Sequence, residues 1–186
     1  MVFIRKYEEK DRDDVHFVCH NSEGPDEAPD FLTGLFYNNT FCDYYIDHEP
    51  ENCFVLDDNG RAVGYIICAE NFDRFKEIYD RDYLPRSDSF GEDRYEWAAV
   101  AYNAQEKFKE EYPAHLHIDI LPEYQRFGMG GKLVETLCKH LKEKGIEGVC
   151  LTCGPRNERA VNFYKKYNFT LLSLDHDDAC FGKKIK

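Results

Sequence analysis

The sequence predicts an α/β fold of the α+β kind, with about seven strands interspersed with helices. Three observations point to it. Seven short β-branched or alternating segments are interspersed with segments of helical periodicity. Two of those strands are joined by Asp57-Asp58-Asn59-Gly60, the strongest hairpin signal in the chain. Another, residues 115–121, stops at Pro122 and leads through Gly128, Gly130 and Gly131 into an amphipathic helix. With 186 residues, 42% of them hydrophobic and 15% aromatic, one substantial core is affordable and two would be cramped, so residues 1–186 are expected to form a single domain.

Taken in order, residues 2–5 make a first strand, and residues 9–19 a helix with Val15 and Val18 inward and acidic residues in its first turn. Residues 21–29 read as a polar loop. A helical region over residues 30–46, broken near Gly34 or at Asn38-Asn39, turns Phe31, Leu35, Phe36, Phe41, Tyr44 and Tyr45 to one apolar side. Those rings either pack the core or line an acceptor pocket. Strands at 53–56 and 62–69 form the hairpin. The long segment 71–113 then carries 10 of the 28 aromatic residues, too many for a disordered linker. Helical pieces are expected near 73–82 and 97–111. This helical insertion before the glycine-linked strand is a candidate lid, dimer surface or extra core.

Residues 130–144 place Leu133, Leu137 and Leu141 on one helical stripe ended by Gly145. Residues 148–153 form a strand. Residues 169–174 and 179–184 close the chain as an antiparallel pair around Asp175-His176-Asp177-Asp178. Cys150 and Cys153 have knuckle spacing, but no second cysteine pair exists and an extended strand points them to opposite faces, so no metal site is expected. The eight cysteines, scattered through apolar segments, read as reduced core thiols.

The net charge of −12 argues against general nucleic-acid binding. It is unevenly spread. Residues 1–114 hold 12 Lys/Arg against 27 Asp/Glu, and residues 115–186 hold 12 against 9. A basic C-terminal part suits a polyanionic cofactor, and an acidic N-terminal part either attracts a cationic acceptor or is ordinary solvated surface. No run approaches the ~20 apolar residues of a membrane span. The N-terminus lacks a signal-peptide apolar region, so a cytoplasmic location and no membrane partner are expected.

The glycine turn is built for an anion. Exposed N–H groups at a helix start, with Gln125, Arg126 and Lys132 nearby, favour a phosphate. It is not a phosphate-binding loop of the nucleotide triphosphatases, because Leu133 follows Lys132 where Ser or Thr is required. It is not a dinucleotide fingerprint either, because the third glycine is missing. Gln125-Arg126-Phe127-Gly128-Met129-Gly130 resembles instead the acyl-CoA signature Q/R-x-x-G-x-G/A of the GNAT superfamily of N-acetyltransferases. A second block, from Asn157 to Phe169, resembles that superfamily's N-x-x-A-x-x-F-Y-x-k-x-G-F pattern, with Asn168 in place of its glycine. Asn is the other residue tolerant of the left-handed helix end, so the departure changes little.

The resemblance implies a GNAT fold, a mixed, mostly antiparallel central sheet of about seven strands flanked by helices, and acetyl-CoA (coenzyme A) as cofactor, with transfer of its acetyl group to a primary amine of a small molecule or peptide through a ternary complex. The pyrophosphate then falls to Gln125, Arg126, Phe127, Gly128, Met129, Gly130, Gly131 and Lys132, and the pantetheine arm pairs with Ile118, Asp119 and Ile120. Tyr164 matches the tyrosine that protonates the leaving thiolate; a phenol can do so because its ordinary pKa, about 10, exceeds the ~8.5 of a thiol. Asn157 bonds the pantetheine, orders water or simply caps its helix. His115, His117 and Asp119 share one strand face, and His117 and Asp119 are the candidate general bases. The blocks HLHIDILPEYQ, NxxA, FY and NF are also similar to the acetyltransferase-like domain of O-GlcNAc hydrolases and its free-standing bacterial relatives. That similarity keeps open an alternative, an acetyl-CoA-binding pseudo-acetyltransferase or interaction module with little or no catalysis. A homodimer formed through residues 71–113 is a further candidate.

Overall fold

The computed structural model describes residues 2–24 and 29–185. One sheet of seven strands runs in the order β1-β2-β3-β4-β5-β7-β6, with β1 Val2–Lys6, β2 Phe54–Asp58, β3 Arg61–Ala69, β4 Ala114–Ile120, β5 Gly148–Cys153, β6 Thr170–Leu174 and β7 Ala179–Lys184. Every neighbouring pair is antiparallel except β4 and β5. The helices are α1 Arg12–Asn21, α2 Phe31–Phe41, α3 Asp43–His48, α4 Phe72–Ile78, α5 Arg94–Val100, α6 Asn103–Glu106, α7 Met129–Glu143 and α8 Glu158–Lys166. The expected fold class therefore holds. Among the described residues no helix is long and apolar enough to cross a membrane.

The centre of the sheet explains the composition of its strands. β3 is buried from Ala62 to Ala69, because helices cover both of its faces, and its side chains are accordingly apolar on both. α7 lies on the face of Ile118 and Ile120. Its Leu133, Val134, Leu137 and Leu141 recur at three- and four-residue spacing and are all buried. The opposite face of β4 lies under Phe41 of α2, Tyr45 of α3, Phe72 and Phe75 of α4, and Tyr102.

Several expected boundaries move for identifiable reasons. The helix expected over 30–46 breaks at neither Gly34 nor Asn38-Asn39 but at Cys42, whose φ of −124° and ψ of −50° separate α2 from α3. Asp30 caps α2 by accepting from the Thr33 amide, which leaves Phe31 in the exposed first turn rather than on the apolar side. The hairpin turn shrinks to Asn59-Gly60, both at positive φ, so Asp57 and Asp58 join the strand. Within residues 71–113 the chain forms α4, α5 and α6 linked by short π and 3-10 turns, and its Phe72, Phe75, Tyr79, Tyr83 and Tyr102 are buried. The loop expected at 21–29 lies partly outside the described residues. All eight cysteines are free thiols.

His115 is fully buried in a ring of Tyr45, Phe72, Phe75 and Tyr102, and neither ring nitrogen has a hydrogen-bond partner among the described residues. Burial, then the neighbouring His117, holds its pKa well below the ordinary 6.5, and burial takes His117 down to about 4. An unfolded histidine titrates near 6.5, so between that pH and the folded values the unfolded chain binds more protons. Stability from these groups is complete above pH 6.5 and is lost as the pH falls. Asp119, raised to about 6, opposes the trend between about pH 6 and 4, one group against two. The urea midpoint is expected to fall steadily from pH 7 to pH 4.5. A flat profile over that range would contradict the burial of both histidines as neutral rings.

Candidate active site

β4 and β5 hydrogen-bond at only two positions, Ala114 with Val149 and His115 with Cys150. Beyond them the strands part, because β4 stays laddered to β3 as far as Ile120 and β5 stays laddered to β7 as far as Cys153. The gap is a cavity of about 600 Å³ between Leu116, His117, Ile118, Asp119 and Ile120 on one side and Thr152, Cys153 and Gly154 on the other. α8 closes it with Asn157, Arg159, Phe163 and Tyr164. A free β4 edge offers backbone donors and acceptors to an extended ligand arm.

At the far end of β4 the chain makes the turn that the glycines foretold. Arg126 and Gly128 take φ of 68° and 77°, and α7 starts at Met129. The amides of residues 126–131 make no hydrogen bond among the described residues, so six consecutive N–H groups are available at the positive end of a 15-residue helix. Such a run of donors suits a phosphate group. Gly130 and Gly131 serve it indirectly. A Cβ on Gly130 would lie 2.9 Å from the Phe163 ring, and one on Gly131 would overlap the Tyr167 ring, so what comes close to these glycines is α8.

The candidate cofactor residues divide by position. Ile118, Asp119, Ile120, Gln125, Arg126, Gly128, Gly130, Gly131, Asn157 and Tyr164 all line the cavity. Phe127 is 74% exposed, Met129 packs against the core and Lys132 points to solvent, so these three offer the cradle backbone rather than side chains. Gln125 is already engaged: its amide nitrogen donates to the carbonyls of Ser22 and Ile120, and its oxygen accepts from Arg159 at 2.8 Å. Asn157 caps α8 through the Ala160 amide, the plainer of its readings, while its nitrogen reaches Glu23 at 3.5 Å.

The candidate catalytic groups meet where β4 faces α8. Tyr164 is 7% exposed, and its hydroxyl makes no hydrogen bond among the described residues. Burial, then the nearby Cys153 and Asp119, raises its pKa and keeps the phenol protonated. Asp119 accepts a 2.5 Å hydrogen bond from Tyr65. Burial pushes its carboxyl up to about 6 against the opposing pull of Tyr65 and Ser22, so it is mostly ionised at neutral pH. His117 lies 3.5 Å from the Tyr102 hydroxyl and against Phe41 and Tyr45. There an imidazolium is disfavoured, which ranks His117 below Asp119 as a proton acceptor. His115 lies behind it, sealed from the cavity. Among the described residues no three His, Cys, Asp or Glu side chains are placed to hold a metal ion.

Sequence reasoning missed Ser22, Glu23, Tyr65, Cys153, Arg159 and Tyr167. Tyr65 becomes visible only with the β3–β4 register that sets it opposite Asp119, and Ser22 and Glu23 only once the end of α1 is seen at the mouth of the splay. Arg159 had a signal, two residues after the helix cap of the second motif.

A splayed parallel pair, a free strand edge and a helix-start cradle define a site for a long phosphorylated thioester, the layout of an acyl-CoA transferase. The chain belongs to the acetyltransferase (GNAT) family, whose model matches residues 16–169. Its acyl donor is acetyl-CoA. The crystal structure of SsHAT is 28% identical, with a TM-score of 0.86 over 100% of this chain and 98% of that one. The PaiA N-acetyltransferase of Thermoplasma acidophilum in complex with coenzyme A is 16% identical, with a TM-score of 0.63 and 99% of both chains covered. The Drosophila melanogaster polyamine N-acetyltransferase, which forms N-acetylagmatine, is 13% identical, with a TM-score of 0.66 over 99% of this chain and 100% of that one. These last two share the fold.

Gly131→Ala is expected to displace the Tyr167 ring from the cavity wall and to weaken acetyl-CoA binding about tenfold by calorimetry, at a stability cost of about 1–3 kcal/mol. Unchanged affinity would show that Tyr167 does not shape the cofactor site.

Proposed function

We propose that this enzyme acetylates a primary amine by direct transfer within a ternary complex, with Tyr164 as general acid and Asp119 as general base. The observation that supports it most is the convergence of both groups on one cavity that is also lined by Arg126, Gly128, Gly130 and Gly131 of the amide run. Acetyl-CoA supplies the activated acetyl group. The amine, its ammonium proton first lost to solvent, attacks the thioester carbonyl carbon through its nitrogen, the C–S bond breaks, the Asp119 carboxylate takes the remaining N–H proton and the Tyr164 hydroxyl protonates sulfur. Both groups then re-equilibrate with solvent. Among the described residues Cys153 is the thiol that lines the cavity, and burial pushes it up to about 11, so it stays a thiol and supports direct transfer over an acyl-cysteine route.

The acceptor is proposed to be a cation. Residues 1–114 carry 27 acidic side chains against 12 basic ones, a surface charge that favours a cationic acceptor. The narrower kinship with the acetyltransferase-like domain of O-GlcNAc hydrolases is proposed on the HLHIDILPEYQ and NxxA blocks. A cytoplasmic location, a single domain over 1–186, pairing of two copies through 71–113 and the absence of nucleic-acid partners are proposed with it.

Thiol release over a panel of amines and basic peptides tests the assignment. Tyr164→Phe and Asp119→Asn are each expected to lower kcat about 10²- to 10⁴-fold with acetyl-CoA affinity within about threefold of the parent. Binding with no turnover on any acceptor in the parent would favour the non-catalytic reading. Undiminished kcat in either variant would remove that residue from its role.

A further inference from the structure

The aspartate that the mechanism uses does not stand alone. Tyr65, on β3, lies directly opposite Asp119 in the β3–β4 ladder, so the two side chains share the same face of the sheet. Tyr65 is fully buried and does not line the cavity, whereas Asp119 does. Its hydroxyl donates to Asp119 Oδ2 at 2.5 Å, the length of a charge-assisted bond. Behind it the buried Cys42 thiol donates to the Tyr65 oxygen at 3.8 Å. A phenol has one proton. An ionised carboxylate can only accept, so that proton is directed to Asp119.

We infer that Tyr65 is a positioning residue for acetyl transfer: through its hydrogen bond it orients the Asp119 carboxylate towards the cavity and keeps it an acceptor. The inference rests on the reading of Asp119 as general base. A carboxylate at the wall of an apolar cavity loses water and is driven towards its neutral, non-basic form. A donor that cannot itself ionise counters that drive. Tyr65 is such a donor, because burial, then the negative charge of Asp119, holds its own proton firmly.

The other groups around Asp119 can be separated from this effect. Ser22 at the end of α1 favours ionisation, Glu23 in the following loop opposes it, and Arg159 on α8 favours it. Tyr164 on α8 senses the charge of Asp119, and His117 on the same strand is neutral at pH 7. Of these, Tyr65 contributes the largest opposition to the effect of burial.

The test is the pH dependence of kcat/KM for thiol release, measured for the parent, Tyr65→Phe and Asp119→Asn, with acetyl-CoA affinity measured alongside. Tyr65→Phe preserves shape and removes one hydroxyl. Its acidic limb is expected to move up by about one pH unit or more. The variant-to-parent ratio at pH 7 then falls about two- to tenfold and returns towards one by pH 9, with cofactor affinity unchanged. A merely structural role would lower the ratio equally at every pH, and that result would overturn the inference. If Asp119→Asn retains both rate and limb, the base assignment itself fails. If it loses the limb while Tyr65→Phe keeps it in place, only the positioning role fails. Should Tyr65→Phe not fold, replacing the tyrosines with 3-fluorotyrosine, a stronger donor, is expected to lower the Asp119 carboxyl titration midpoint followed by carbon NMR. An unmoved midpoint would overturn the inference.

Discussion

Everything at the site depends on one limit in the sheet: β4 and β5 share only two register positions before they separate. Each strand is fully committed to its other neighbour, β4 to β3 and β5 to β7, so the two half-sheets follow their own twist and the backbone groups of β4 past His115 are left without a strand beside them. An unpaired edge inside a protein is costly unless something hydrogen-bonds to it. Here it becomes one wall of a cavity, and the arm of the acyl donor is suited to take the place of the missing strand.

Two kinds of burial then act with opposite consequences on a single strand face. At His115 and His117 burial keeps imidazoles neutral, which gives the interior its aromatic packing and makes it sensitive to acid. Two residues on, at Asp119, the same desolvation is opposed by Tyr65 and Ser22, so the carboxylate survives near neutral pH. Period-two alternation on one strand therefore places an inert ring, a wall and a carboxylate in succession.

Much of this was legible in the sequence. The seven strands, the hairpin and α7 follow from alternation, a turn dipeptide and a leucine stripe, which are local signals. The cradle was legible because a positive φ before a helix is a demand that glycine advertises at Gly128. Arg126 takes the same conformation without advertising it. The role of Gly130 and Gly131 was read as room for a ligand, whereas Phe163 and Tyr167 occupy that room, a contact between elements more than 30 residues apart. Tyr65 and Ser22 were invisible for the same reason. Their meaning lies in a cross-strand register and in the end point of α1, which no local pattern encodes. The break at Cys42 was misplaced because glycine and paired asparagines are stronger local breakers than cysteine, yet Gly34, Asn38 and Asn39 are all buried within α2, the last donating to the Tyr83 carbonyl.

Backbone amide NMR during titration with acetyl-CoA tests the central claim most directly, because it reports on the cradle and on the strand edge together. The account predicts the largest shifts at residues 126–131 and 118–120, saturating together. Shifts confined elsewhere, for instance to the surface groove between Glu70 and Lys144, would contradict it.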